Sequence, residues 1–318
     1  MAKTKVLICG GSGFIGRNLI DFFTSKDQYE VHATYLTRNL DDIKNIKSYQ
    51  VDLTNAEEIN QIVKDKDVII QAAAVTSGMK DILEKPYIHT TDNAIMNSLL
   101  LRSAYENHIK HFLFFSCSIM YKNSDFLQNE TDTVDYSEIL PSYFAAAWTK
   151  LYIEKMCEFY SSLNRTKHTV LRHSNIYGPH DKFDLERSHM FGANVTKVMK
   201  CENRSISIWG SGEEKKDLLY VDDLMTAVHA SLNKQKNIFG LFNIGSGEGV
   251  SVKDIVGKII HTSGKNLDIL YEPSKPSLKA NIILNIDKAK RELSWTPRVT
   301  LEEGIQFTLD WYRKQYLS

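Results

Sequence analysis

The sequence carries no excess charge of either sign. Its 39 lysines and arginines balance 39 aspartates and glutamates over 318 residues, for a formal net charge of zero. Without a global field to gather polyanions or hold the chain on an anionic bilayer, nucleic-acid and membrane partners are not expected, and only a local basic cleft for one small anion remains. Long hydrophobic runs are also missing. Val68–Ile70 and Ala72–Val75 are among the longest, far short of the ~18 residues of a spanning helix. Met1-Ala2-Lys3-Thr4-Lys5 runs straight into a strand-like segment with no apolar signal core. The four cysteines, Cys9, Cys117, Cys157 and Cys201, form no Cys-x-x-Cys pair and no His/Cys metal spacing. Reduced thiols, a cytoplasmic location and no metal site are the expectation. Low-complexity tracts and internal repeats are absent, which argues against solenoids and arrays.

What is present is an ordinary globular balance, 42% hydrophobic and 25% charged, in a chain long enough to bury a large core without disulfides. Strand-like runs alternate with helical patterns through the first half: Lys5–Cys9, Phe14–Ser25, Val31–Tyr35, Ala56–Lys64, Val68–Ala72, Thr91–Asn107, His111–Ser116, Phe144–Leu163 and Thr169–Arg172. Apolar strands separated by helices predict a parallel sheet covered on both faces. Beyond Arg172 the rhythm breaks into Ser205–Trp209 (strand), Leu224–Ser231 (helix capped by Asp222-Asp223), Ile282–Ile286 (strand) and Leu301–Arg313 (helix). The expected fold is α/β: a Rossmann-type doubly wound parallel sheet formed by 1–172 and 217–243, with a smaller C-terminal α/β substrate domain formed by 173–216 and 244–318.

Between the first strand and first helix stands Gly10-Gly11-Ser12-Gly13-Phe14-Ile15-Gly16. Gly10 permits a tight turn, Gly13 lets backbone approach a pyrophosphate, and Gly16 allows close helix–strand packing. The helix then offers unpaired N–H groups to the anion, so a dinucleotide site is expected here. After the second strand, His32 to Thr37 supply no carboxylate for an adenosine ribose, whereas Arg38 can meet a 2′-phosphate. NADP(H) is therefore favoured over NAD(H). Asp52-Leu53, after the third strand, fits either an adenine contact or a turn cap.

These features, spread over nearly the whole chain, resemble the extended short-chain dehydrogenases/reductases. Ala72-Ala73-Ala74 is similar to that family's cofactor-flanking loop, and Asn93 stands where a helix asparagine is expected. Asn175-Ile176-Tyr177-Gly178-Pro179 matches the NxYGP turn, and Trp209-Gly210-Ser211-Gly212 with Leu219-Tyr220-Val221-Asp222-Asp223 matches WGSG…YVDD. Within the family, Gly178-Pro179-His180-Asp181-Lys182-Phe183-Asp184 with Ser188-His189 resembles the GDP-fucose synthases. The resemblance implies a GDP-linked 4-keto-deoxy sugar as partner, with two carbons epimerised before NADPH reduces the ketone.

It also implies roles for single residues. Ser116 matches the serine that hydrogen-bonds the substrate oxygen, and Lys150 the lysine that holds the nicotinamide ribose and lowers a tyrosine's pKa. The motif is YxxxK, yet the tyrosine position holds Ala146. Tyr143 lies seven residues before Lys150, roughly 10 Å along a helix axis and one turn too far. Either a tyrosine has been replaced, inactivating the site, or the phenol is naturally missing. Of the Cys/His pair used for epimerisation, His189 matches the histidine, but the cysteine position holds Ser118, with Cys117 one residue earlier. Strand alternation turns Cys117 away from the face of Ser116. Lys216 stands where an arginine grips the diphosphate, Trp209 is placed to flank the base, and Asn175 to touch sugar or phosphate. The helices Thr91–Asn107 and Phe144–Leu163 would form a homodimer interface. A nucleotide-sugar 4-epimerase or dehydratase, and a non-catalytic dinucleotide-binding protein, are the rival readings.

Overall fold

A computed structural model describes residues 2–317, apart from 76–85, 133, 135, 136, 138, 140, 186, 187 and 276–280. Its centre is a seven-stranded sheet in which every pairing is parallel. Strands β1 (Thr4–Cys9), β2 (Tyr29–Tyr35), β3 (Ile46–Gln50), β4 (Val68–Gln71), β5 (His111–Cys117), β6 (Lys167–His173) and β11 (Phe239–Ile244) lie in the order β11-β6-β5-β4-β1-β2-β3. From β1 the chain winds outward first to β2 and β3, then the other way through β4. The strand order therefore reverses between β1 and β4, the switch point at whose carboxyl ends ligand crevices form in open parallel sheets.

The strands are apolar on both faces because both are covered. Helices α1 (Phe14–Thr24) and α6 (Val221–Lys234) pack over one face, on Val6, Ile8, Leu113, Phe115 and Leu171. Helices α2 (Ala56–Val63), α3 (Pro86–Glu106) and α4 (Phe144–Ser162) cover the other, on Leu7, Ile69, Phe112, Phe114 and Val170. The doubly wound sheet is thus as the alternation predicts.

The second half adds two-stranded pieces: β7 (Asn175–Tyr177) with β10 (Leu218–Tyr220), β9 (Lys215–Lys216) with β12 (Val250–Ser251), and β8 (Ser205–Trp209) with β13 (Asp268–Glu272). Helices α5 (Met190–Lys200), α7 (Val252–Ser263), α8 (Asp287–Leu293) and α9 (Leu301–Tyr316) surround them. Two expectations are corrected here. Ile282–Ile286 is no strand: it meets its neighbours only at the isolated bridges Lys216↔Ile282 and Gln128↔Leu284, because its partners are themselves short, irregular segments. Asp222 and Asp223 do not cap α6 but lie in its first turn, behind Tyr220. Asp223 instead accepts the Arg298 and Val299 N–H groups at 3.0 and 2.9 Å, pinning the C-terminal segment.

Among the described residues no helix is long and apolar enough to cross a membrane, and no cluster of His, Cys, Asp and Glu could hold a metal ion. All four cysteines are free.

Candidate active site

The crevice is built first by glycines. Gly10 has φ +79°, and a Cβ on it would lie 2.6 Å from Ala73 Cα, so only glycine lets the β1 and β4 loops close on each other. A Cβ on Gly16 would fall 2.1 Å from Gly10 O, inside the turn itself. Gly13 is exposed, and a Cβ there would meet only Gly10 O at 3.3 Å, which leaves its outer side bare for a ligand. Gly13 caps α1 without a side-chain hydrogen bond, and no acid stands in the first turn. The N–H groups leading from Phe14 and Ile15 are thus available to a pyrophosphate. By contrast α2 starts with Asn55 accepting from Glu57 and Glu58 N–H, and α9 with a Thr300–Glu303 capping box.

Arg38 is exposed and donates from Nη2 to the Ser12 carbonyl, which holds its guanidinium on the rim of the glycine turn. Beside it Arg17 is paired bidentately with Asp42 at 3.0 and 2.7 Å. Asp52 behaves as a turn cap: Oδ1 accepts the Thr54 N–H (2.9 Å) and hydroxyl (2.7 Å), and these bonds hold its pKa below the ordinary value. Leu53 is buried. Asn93 bonds both backbone groups of Val75 at 3.0 Å, so it braces the loop that continues from Ala72, Ala73 and Ala74. The residues present fit a dinucleotide.

Further along the sheet Ser116 meets a buried ion pair. Ser116 is fully buried and donates to Glu154 Oε1 at 2.5 Å. Glu154 is in turn clamped by Arg172, from Nη2 at 2.6 Å and from Nε at 3.0 and 3.2 Å. The hydroxyl thus joins a buried ion pair beneath α4. In the β5–β6 register Ser116 stands opposite Arg172, and Cys117 opposite His173. Alternation places Cys117 and His173 off the face that the Glu154–Arg172 pair occupies. Cys117, the last residue of β5, is half-buried.

The Cys117 thiol accepts the Ile119 N–H and feels the charge of Lys150, while burial, the larger effect, raises its pKa above that of a free thiol. Lys150 donates from Nζ to the Phe115 carbonyl at 2.7 Å and lies 4.6 Å over the Phe114 ring. Its pKa is lowered by burial, against which the Cys117 and Glu154 charges pull it up. Ala146, half-buried one turn before Lys150, contributes only a methyl group. Tyr143 ends the short 3₁₀ turn Pro141–Tyr143 and packs with Cys117 against Met120, Ile139 and Ala147. Burial and then the Cys117 charge raise its pKa, and no cation offsets them. His173 donates from Nδ1 to the Ser174 carbonyl at 2.7 Å, and burial pushes its pKa down to about 4, so the ring is neutral at pH 7. Sequence reasoning missed His173, which strand register places opposite Cys117, and the Glu154–Arg172 pair, which forms only when α4 packs on β6.

In the second half, His189 is the exposed N-cap residue of α5, and desolvation by its surroundings, followed by Lys182, lowers its pKa. Ser118 is half-buried beside Cys117. Trp209 is 53% exposed at the end of β8, with Lys275 6.0 Å above its ring, so it is a surface platform rather than core. Lys216 is half-buried, and burial lowers its pKa. Asn175 is exposed but gives Nδ2 to the Asp217 carbonyl at 3.0 Å, which leaves its side-chain oxygen for a ligand.

Asp181 is buried. Oδ1 accepts the Lys182 N–H at 2.7 Å, whereas Oδ2 is buried without a partner among the described residues. Burial raises this carboxyl to about 7. The folded state therefore binds its proton more tightly than the unfolded chain, and the associated stability is lost as pH rises from about 4 through about 7. Asp181→Asn, which resembles the protonated form, should melt several degrees above the parent at pH 8 and close to it at pH 4.5. Equal melting temperatures at pH 8 would contradict a buried, proton-retaining Asp181.

Comparison with known proteins follows the same lines. Residues 6–245 match the model of the NAD dependent epimerase/dehydratase family. The chain is 27% identical to GDP-L-fucose synthase of Azorhizobium caulinodans, over 97% of this chain and 96% of that protein. It is 27% identical to GDP-L-colitose synthase of Yersinia pseudotuberculosis, over 97% of each. Among solved structures, UDP-glucose 4-epimerase of Thermotoga maritima with UDP-glucose superposes with a TM-score of 0.87 at 26% identity, covering 98% of this chain and 99% of that one.

Proposed function

The chain belongs to the NAD dependent epimerase/dehydratase family, and from that premise we propose that it is an NADP(H)-dependent reductase or epimerase-reductase of a GDP-linked 4-keto-deoxy sugar. The observation that carries this reading is its likeness to two GDP-sugar synthases along 97% of the chain. That span includes the second half, where Asn175, His189, Trp209 and Lys216 stand. The domain division read from the sequence belongs to the proposal: 1–172 and 217–243 hold the dinucleotide, and 173–216 and 244–318 the sugar.

The reading gives these residues the following roles. Gly10, Gly13 and Gly16, with the N–H groups of Phe14 and Ile15, hold the pyrophosphate. Arg38 takes the 2′-phosphate, and Asp52 and Leu53 border the adenine. Ala72, Ala73 and Ala74, on the loop braced by Asn93, form the wall, and Lys150 lies toward the nicotinamide ribose. When bound, the dinucleotide exchanges a hydride with the sugar carbon. Lys216, with Lys215, binds the diphosphate as point charges without an arginine's fork. Trp209 flanks the base, Asn175 offers its oxygen to sugar or phosphate, and His189 stands beside the sugar as an acid–base group. Reduction is the better supported half of the reaction, since Ser118 is a poor carbon acid–base group at neutral pH.

A second reading, a nucleotide-sugar 4-epimerase acting on a UDP-sugar, is favoured by the likeness to UDP-glucose 4-epimerase. Titrating the protein with NADPH, NADH, GDP and UDP decides between them. Tight GDP binding with no response to UDP supports the first reading, and the reverse pattern removes it. Arg38→Ala should weaken NADPH about tenfold, as loss of a charge-assisted contact does, and leave NADH unchanged; equal losses would rule out the 2′-phosphate role.

A homodimer through α3 and α4 is part of the proposal. Phe144, Trp148, Tyr152 and Phe159 form an exposed stripe along α4, with Ile95 exposed on α3. The free thiols suit a cytoplasmic location.

A further inference from the structure

We propose that Asp217 is the positioning residue for a nucleoside diphosphate: its buried carboxylate pins together the passages of the chain between the two units, and so fixes Lys216 and Asn175. The proposal rests on the reading above and deepens it, from the residues that hold the diphosphate to the group that holds those residues.

By the division given above, the chain passes between the units after Arg172, Lys216 and Asn243. Asp217 is the single residue between β9 and β10, and it is fully buried. Oδ1 accepts the Ser246 N–H and the Ser246 hydroxyl, both at 2.8 Å, which ties down the loop leaving β11. Oδ2 accepts the Leu284 N–H at 3.1 Å, which ties down the C-terminal segment. The Asp217 carbonyl accepts the Asn175 backbone N–H at 3.1 Å and its Nδ2 at 3.0 Å, which ties down the start of β7. Ser174 in turn donates its N–H to the Ile244 carbonyl at 2.9 Å, joining β7 to β11 directly. The fit leaves no slack, since a Cβ on Gly245 would lie 2.6 Å from Oδ2. One peptide bond before Asp217 stands Lys216, which pairs with Val250 of β12 and forms an isolated bridge with Ile282.

The pattern of donors demands a carboxylate. Both oxygens face a backbone N–H, so an amide at 217 would turn its NH2 group toward one of them. That N–H would then lack an acceptor in the core, which is costly. The loop at Ser246 or the segment at Leu284 would shift, and the Asp217 carbonyl, Asn175 and Lys216 would shift with it. Charge alone predicts the opposite result. Removing an anion beside a lysine that binds phosphate, with nothing moved, would strengthen the hold on a diphosphate. The sign of the change therefore separates positioning from simple electrostatics.

The test titrates the full chain and its variants Asp217→Asn, Gly245→Ala and Ser246→Ala with GDP, GMP, UDP, UMP and NADPH by calorimetry, each in buffer where urea unfolding shows it to be folded. The parent should hold the diphosphate of its preferred base more tightly than the monophosphate. Asp217→Asn and Gly245→Ala should cut that preference about tenfold, the worth of a charge-assisted contact, with NADPH affinity within about threefold of the parent. An aspartate that only stabilised the fold would leave the ratio of diphosphate to monophosphate affinity unchanged in the folded protein. Ser246→Ala removes one hydrogen bond and no backbone partner, and it carries the test if the other two variants do not fold; it should cut the same preference about threefold. An unchanged or larger preference in the variants that fold, or an equal loss of NADPH affinity, overturns the proposal and leaves the functional reading standing. If the parent holds neither diphosphate more tightly than its monophosphate, the diphosphate site itself falls, and the proposal with it.

Discussion

Replacing Ala146 with tyrosine should raise the rate of ketosugar reduction by roughly tenfold or more, since a positioned general acid is worth ~10²–10⁴. Position 146 lies four residues before Lys150 on α4, so both side chains share one helix face a single turn apart. The new phenol would meet an ammonium that is already in place, tied to the Phe115 carbonyl at 2.7 Å and lowered in pKa by burial. A nearby cation favours phenolate and brings the phenol into working range. Ala146→Phe is the control: it fills the same space without a hydroxyl and should gain nothing. Steady-state assays with NADPH decide the matter. An unchanged rate in Ala146→Tyr, with sugar binding intact, would mean that position 146 does not face the reacting carbon.

Glu154→Ala should be the most damaging single change to stability, costing about 3–5 kcal/mol, as removal of one partner of a buried ion pair does. The side chains of Glu154 and Arg172 are 5% and 6% exposed, and they meet at 2.6 Å. Without Glu154, the Arg172 guanidinium would be left charged in the core with Tyr121 as its remaining partner, and the Ser116 hydroxyl would lose its acceptor. Ser116→Ala should cost less, about 1–2 kcal/mol, because the charge pair survives. Urea unfolding of the three proteins provides the measurement. A loss below about 1 kcal/mol in Glu154→Ala would show that water reaches the pair, since only a screened pair is that weak.

The two variants also separate what could be read along the chain from what could not. Alternation of apolar strands and helices, and three glycines spaced across the first turn, are local signals. They placed the sheet, its parallel sense and the dinucleotide crevice, because a buried strand or a helix N-terminus is specified by residues a few positions apart. The gap at position 146 was visible only through the resemblance to the YxxxK motif, with one helical turn as the ruler that places it. The identity of the side chain at the end of β5 was not. Ser116 and Cys117 are neighbours on a strand, and alternation says only that they point opposite ways.

The partner of the Ser116 hydroxyl is Glu154, 38 residues later, itself held by Arg172, 18 residues beyond that. These meet Ser116 only once β5, β6 and α4 are packed together. The same holds for His173, placed beside Cys117 by register alone, and for Asp223, whose partners Arg298 and Val299 lie some 75 residues away. The sequence by itself determined the architecture and the anion-binding turn, for which short-range sterics and periodic burial suffice. Only the tertiary structure decided that the Ser116 hydroxyl joins the Glu154–Arg172 pair, because a buried charge takes whatever partner the assembled core brings within hydrogen-bond reach.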